Sequence, residues 1–188
     1  MFRHSLPRMQ ALARQRHLIC GLLLEAGPGR FWPGLELLRR APELEMVGCG
    51  YSPDERTAAE AQAGKWNLGP RVKYPDSDLT CLPLPDRSVD GVISYGGLHA
   101  WPRPLAVVDE ISRVLKLGGI VLIGDLRREA AGLETLLVAA GHPKLRALYR
   151  QRAAAMPYAE IRQLALSSRL QDWTLTVMGP DVWLHSAP

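Results

Sequence analysis

His99 lies in a short run, Ser94-Tyr95-Gly96-Gly97-Leu98-His99-Ala100-Trp101, that carries no other group titrating near neutrality. Imidazole changes charge close to neutral pH, so His99 can take a proton from a phenol or an activated carbon acid. It can equally pack and hydrogen-bond without reacting. Glu25-Ala26-Gly27-Pro28-Gly29 closes an apolar run. Glycines at such a turn let the main chain approach a ligand with no Cβ in the way, and the same turn serves as a tight strand-to-helix connection. Asp78, ahead of Leu79 and Leu82-Pro83, offers a carboxylate to a ligand or to its own loop. Arg127 and Arg128 suit an anionic group or a solvated helix start. Trp101 suits a substrate pocket or a cover for the sheet edge. Cys20, Cys49 and Cys81 are odd in number and far apart, without metal-ligand spacing. They read as small core hydrophobes in a reducing compartment. His17, His142 and His185 have no partners at ligand spacing and read as structural.

The elements that must position these residues follow from periodicity. Ile19 to Glu25 is a short apolar run suited to a fully buried parallel strand. A helix is expected over Leu35 to Arg40, and a second strand over Leu44 to Cys49. Ser52-Pro53-Asp54-Glu55 then starts a helix with Ser as N-cap, Pro in the first turn and acids at the positive end of the dipole. Short strands follow at Arg71 to Tyr74 and Val89 to Ser94. Leu105, Val108, Ile111 and Leu115 recur at helical spacing from Pro104 to Lys116, with Gly118-Gly119 as the stop. Ile120 to Gly124 is all apolar and therefore a central strand. Alternation of this kind predicts a doubly wound, mostly parallel α/β sheet. Residues 128 to 168 are expected to be helical. Trp173 to Val177 and Val182 to His185, separated by Gly179-Pro180-Asp181, alternate as a terminal antiparallel hairpin.

Length and composition set the frame. With 188 residues and 47% hydrophobic content, one domain is expected: an N-terminal amphipathic helix over 1–18 (Leu6, Met9, Leu12 and Ala13 on one side), a ligand-binding core over 19–125, and a helical segment with hairpin over 126–188. No apolar run is long enough to span a bilayer. The arginines at the N-terminus are mildly reminiscent of a presequence, and cytoplasm is the default. The net charge of +4 is spread along the chain, so it reads as a solvated surface rather than a nucleic-acid footprint.

The order of these motifs resembles the class I S-adenosylmethionine-dependent methyltransferases, especially the small-molecule branch that includes quinone-ring methyltransferases. The likeness runs over roughly residues 20 to 125, through the Glu25–Gly29 turn, Asp78 to Leu98, and Arg113-Val114-Leu115-Lys116-Leu117-Gly118-Gly119. It implies a seven-stranded sheet whose last strand is antiparallel, with S-adenosylmethionine beyond the carboxyl ends of the strands. Glu25, Gly27 and Gly29 would hold the methionyl part, and Asp78 and Leu79 the adenine. Gly50 and Tyr51 would lie at the ribose, with Ser94 and Tyr95 near the transferred methyl. The acceptor would be a small molecule, because the loop after strand four lacks the Asn/Asp-Pro-Pro-aromatic pattern of nucleic-acid adenine methyltransferases. Asp90 is expected to be structural.

The chain departs from the family at two positions. Phe31 stands at the third glycine, and Gly50 replaces the acid that binds both ribose hydroxyls. Losing such a partner costs roughly 1.5–3 kcal/mol, less where glycine leaves room for water. Tyr51 and Asp54 are candidate replacements. The N-terminal cap is also short, so a homodimer or partner subunit is a candidate for completing the site. The alternative to a small-molecule methyltransferase is a catalytically degenerate subunit acting through protein partners. An NAD-linked oxidoreductase lacks its G-x-G-x-x-G and acid. RNA modification rests on charge alone.

Overall fold

Period-two alternation puts Leu24 and Ala26 on one face of the first strand and Leu23 and Glu25 on the other. Both faces are covered by helices. The computed structural model describes residues 10–11, 13, 18–28, 32–126, 155–167, 173–178 and 181–186. Its strands are β1 Cys20–Ala26, β2 Glu43–Cys49, β3 Val72–Lys73, β4 Val89–Tyr95, β5 Leu115–Leu126, β6 Trp173–Met178 and β7 Asp181–Ser186. They form one seven-stranded sheet in the order β3-β2-β1-β4-β5-β7-β6. The first five strands are parallel, and β7 pairs antiparallel with both β5 and β6. This is the expected doubly wound sheet with a terminal hairpin.

Helices α1 (Pro33–Leu38) and α2 (Pro53–Lys65) lie in the layer with Leu23, Met46 and Ile93. Helices α3 (Pro104–Val114) and α4 (Tyr158–Ser167) lie in the layer with Leu24, Val92 and Val121. Each fully buried aliphatic side chain contributes roughly 1.5–3 kcal/mol. The start of α2 is as its sequence requires: Ser52 and Glu55 form a reciprocal capping box, with Pro53 in the first turn.

The end of α3 differs from expectation. The helix stops at Val114, and Leu115 is already extended and paired with Val89. The register then moves from Val89↔Leu115 to Gly91↔Ile120, so residues 116–119 bulge from β5, with Gly118 at φ 73°. Capture by β4 ends the helix before the glycines do. Arg113, in the last turn of α3, donates to the carbonyls of Leu82 and Leu84 and to Glu110 and Asp86. Glu110 in turn accepts from the Leu82 N–H at 2.8 Å, fixing the segment that follows Asp78 and Leu79. Asp90 ties β1 to β5, accepting from the Leu22 N–H at 2.8 Å and from Lys116 Nζ at 2.7 Å, which is the structural task expected of it.

The expected N-terminal helix is described only at residues 10, 11 and 13, which are helical, with Ala13 buried. Leu6, Met9, Leu12, Gly29, Phe31, Arg127, Arg128, His17 and His142 lie outside the described residues.

Candidate functional site

β1 and β4 are parallel neighbours from which the chain departs in opposite directions, the place where ligands bind such sheets. A cavity of about 500 Å³ opens there, within the usual range for ligand clefts of roughly 300–1,000 Å³. Gly27 and Pro28 reach it from β1, Gly50, Tyr51, Ser52 and Glu55 from β2, and Ser77, Asp78 and Leu79 from the loop after β3. Gly96, Gly97, His99 and Trp101 reach it from β4. Glu55, Asp78 and His99 supply titratable groups, and no lysine or arginine lines it among the described residues.

Gly27 and Gly50 both have left-handed backbones, at φ 80° and 77°. The Gly27 N–H donates to the Cys49 carbonyl at 2.8 Å, locking the two turns together. A Cβ on Gly50 would stand 2.5 Å from Leu79 Cγ. The space at Gly50 is therefore filled by Leu79, not left for water, which corrects the reading of that glycine as an open gap. Leu79 is buried and also faces Gly27, where a Cβ would be 3.8 Å from its Cδ1.

Glu25 is fully buried and is not among the lining residues. Its Oε2 accepts from the Tyr51 hydroxyl at 2.6 Å and its Oε1 from the Gly34 N–H at 3.0 Å. Burial pushes its carboxyl up to about 7, against the lowering effect of those two bonds. Burial, together with the charge and hydrogen bond of Glu25, raises the Tyr51 phenol well above its ordinary value. Tyr51 lines the cavity, but its hydroxyl is committed inward. The Glu25 carboxylate thus joins β1, α1 and the β2 turn beneath the site.

Ser94 is buried and donates to the Ala26 carbonyl at 2.8 Å, binding the ends of β4 and β1. Tyr95, one residue on, points to the other face, stacks on Trp183 and donates to Asp181 Oδ1 at 3.2 Å. Neither is among the lining residues, because consecutive strand residues face opposite layers and both side chains are used in packing. Asp78 is exposed at the cavity and also caps its loop. Its Oδ1 accepts from the N–H and hydroxyl of Thr80, the main cause of its lowered carboxyl pKa. Asp54 is not a lining residue, whereas Glu55 is.

His99 Nδ1 stands 3.5 Å from Asp125 Oδ2, and the Asp125 side chain is 2% exposed. Asp125 sits in β5 opposite Val182 of β7, so its backbone is held by the sheet. Trp101 is buried, and its Nε1 has no hydrogen-bond partner among the described residues. Such a stranded donor costs roughly 1–3 kcal/mol unless a ligand or water satisfies it. Sequence reasoning missed Glu55, Ser77 and Asp125. Glu55 reads from the sequence as a first-turn acid of a helix, and nothing local brings Asp125 to His99.

The glycine cradle and an acidic lining with no lysine or arginine among the described residues fit a cationic nucleoside better than a phosphate-bearing one. Comparison with known proteins agrees. A family model described as "Methyltransferase domain" matches residues 24–123. The chain is 32% identical over 107 residues to a demethylmenaquinone methyltransferase of Deinococcus radiodurans, covering 57% of this chain and 43% of that protein. It is 32% identical over 114 residues to a 27-O-demethylrifamycin SV methyltransferase of Amycolatopsis mediterranei, covering 60% and 42%. The chain thus spans well under half the length of either relative. The fold matches a putative S-adenosyl-L-methionine-dependent methyltransferase of Methanococcus maripaludis with TM-score 0.76 at 16% identity, over 95% of this chain and 82% of that one. With a family model matching more than half of its residues, and matching the strands and turns that build this cavity, the chain belongs to the methyltransferase domain family and carries its class I fold.

Proposed function

We propose that this chain binds S-adenosylmethionine in the cavity at the carboxyl ends of β1 and β4 and catalyses methyl transfer to a small-molecule acceptor. One observation carries the reading: Gly27, Gly50, Asp78, Leu79 and His99, brought from four separate loops, surround one cavity with an acidic lining and no lysine or arginine among the described residues. Bound there, the cofactor supplies a methyl group on an already activated sulfonium. The protein's main task is then alignment, which can contribute roughly 7–11 kcal/mol.

In this reading Gly27 admits the cofactor against the main chain, and Leu79, seated on Gly50, packs on the base while Asp78 accepts from its amine. Glu55 takes the ribose diol in place of the side chain that Gly50 lacks. With Nδ1–H turned toward Asp125, neutral His99 carries its basic lone pair on Nε2 and receives the acceptor's proton there. Asp125 then stabilises the imidazolium. Relatives named for a menaquinone precursor and for a rifamycin support a small acceptor over nucleic acid. A cytoplasmic setting accords with the free cysteines Cys20, Cys49 and Cys81, and no described helix is long and apolar enough to cross a membrane.

Titration calorimetry with S-adenosylhomocysteine, followed by transfer of radiolabelled methyl to a panel of quinols and phenols, tests this reading. Saturable binding and label in the organic extract are expected. Absence of heat at high micromolar ligand overturns it.

A further inference from the structure

The Trp101 indole is 5% exposed, and its Nε1–H is left without an acceptor. Its direction is fixed by two glycines. A Cβ on Gly27 would lie 3.5 Å from Nε1, and one on Gly97 would lie 3.9 Å from it. The donor therefore lies buried beside the turns that end β1 and β4, on a side chain that lines the cavity. Three neighbouring donors are already spent. The Gly27 N–H goes to the Cys49 carbonyl, the Gly96 N–H to the Gly124 carbonyl and the Ser94 hydroxyl to the Ala26 carbonyl. Among the described residues no lysine or arginine lines the cavity, and the indole is a donor with no other use, available to an anionic group at this turn.

We infer that Trp101 Nε1–H donates to the amino-acid carboxylate of the bound cofactor, making Trp101 a cofactor-binding residue. This rests on the proposed methyltransferase reading, and it assigns a role that the glycine turn alone cannot fill. An indole N–H to a carboxylate is a charge-assisted bond.

The test compares S-adenosylhomocysteine with 5′-methylthioadenosine, which keeps the nucleoside and thioether but lacks the amino acid. Both are titrated calorimetrically into the unmodified protein, Trp101→Phe, and a variant with 3-benzothienylalanine at position 101. The last keeps the bicycle and removes only the N–H, so it decides the matter should the phenylalanine variant not fold. Each variant is expected to bind S-adenosylhomocysteine roughly ten- to a hundredfold more weakly while methylthioadenosine affinity is unchanged. Unchanged S-adenosylhomocysteine affinity overturns the assignment, as does an equal loss for both ligands, which would mark the indole as packing. If the unmodified protein binds neither ligand, the methyltransferase reading itself fails and takes this assignment with it.

Discussion

Tyr51 donates its hydroxyl to Glu25 at 2.6 Å in the core directly beneath the cavity, so the acid that ends β1 is a tie between elements. Because the folded carboxyl titrates at about 7 against an ordinary 4.5, stability present below about 4.5 declines as pH rises and is lost once pH passes about 7. Glu25→Gln removes this titration. Urea unfolding of both proteins at pH 5 and pH 8 should show the variant gaining roughly 2–3 kcal/mol on the parent between the two conditions. Parallel pH dependence in the two proteins would refute it.

By the sequence resemblance Gly50 stands where a ribose-binding acid is expected, and simple restoration should fail. A side chain there must adopt a left-handed backbone and displace Leu79, whose Cγ lies 2.5 Å from the Cβ position. Gly50→Asp should destabilise the fold by roughly 1–3 kcal/mol without tightening S-adenosylhomocysteine binding. Glu55→Gln, on the cavity wall, should weaken that binding roughly tenfold. Chemical denaturation and calorimetry read the two effects separately. Tighter binding by Gly50→Asp would show that Leu79 moves freely.

Where interactions are local, the sequence was legible. The Ser52 N-cap with its first-turn proline and acids, the central strands and the terminal hairpin are written in short-range chemistry, and the structure has them. The glycine turn and the family likeness located the cavity. What escaped depends on contacts between distant segments: Leu79 settling on Gly50, and Asp125 of β5 facing His99 beyond β4. Glu25, Ser94 and Tyr95 sit in strands buried on both faces, where hydrophobic pattern gives no inside and outside. Their inward hydrogen bonds to Tyr51, Ala26 and Asp181 could not be read from spacing.

The His99–Asp125 pair separates a chemical role from a packing role. If His99 accepts a proton during transfer, His99→Ala should lower kcat roughly a hundredfold or more while S-adenosylhomocysteine affinity stays within about twofold. Asp125→Asn keeps the shape but presents an amide in place of a carboxylate to Nδ1. It should lower kcat by roughly tenfold or more through loss of tautomer and of imidazolium stabilisation. In the proposed mechanism Asp125 acts through the imidazole, so the double variant should be no slower than His99→Ala alone. The radiolabel assay measures all three. Additive losses would assign Asp125 an independent duty, and undiminished kcat in His99→Ala would reduce the pair to a structural contact between β5 and the loop after β4.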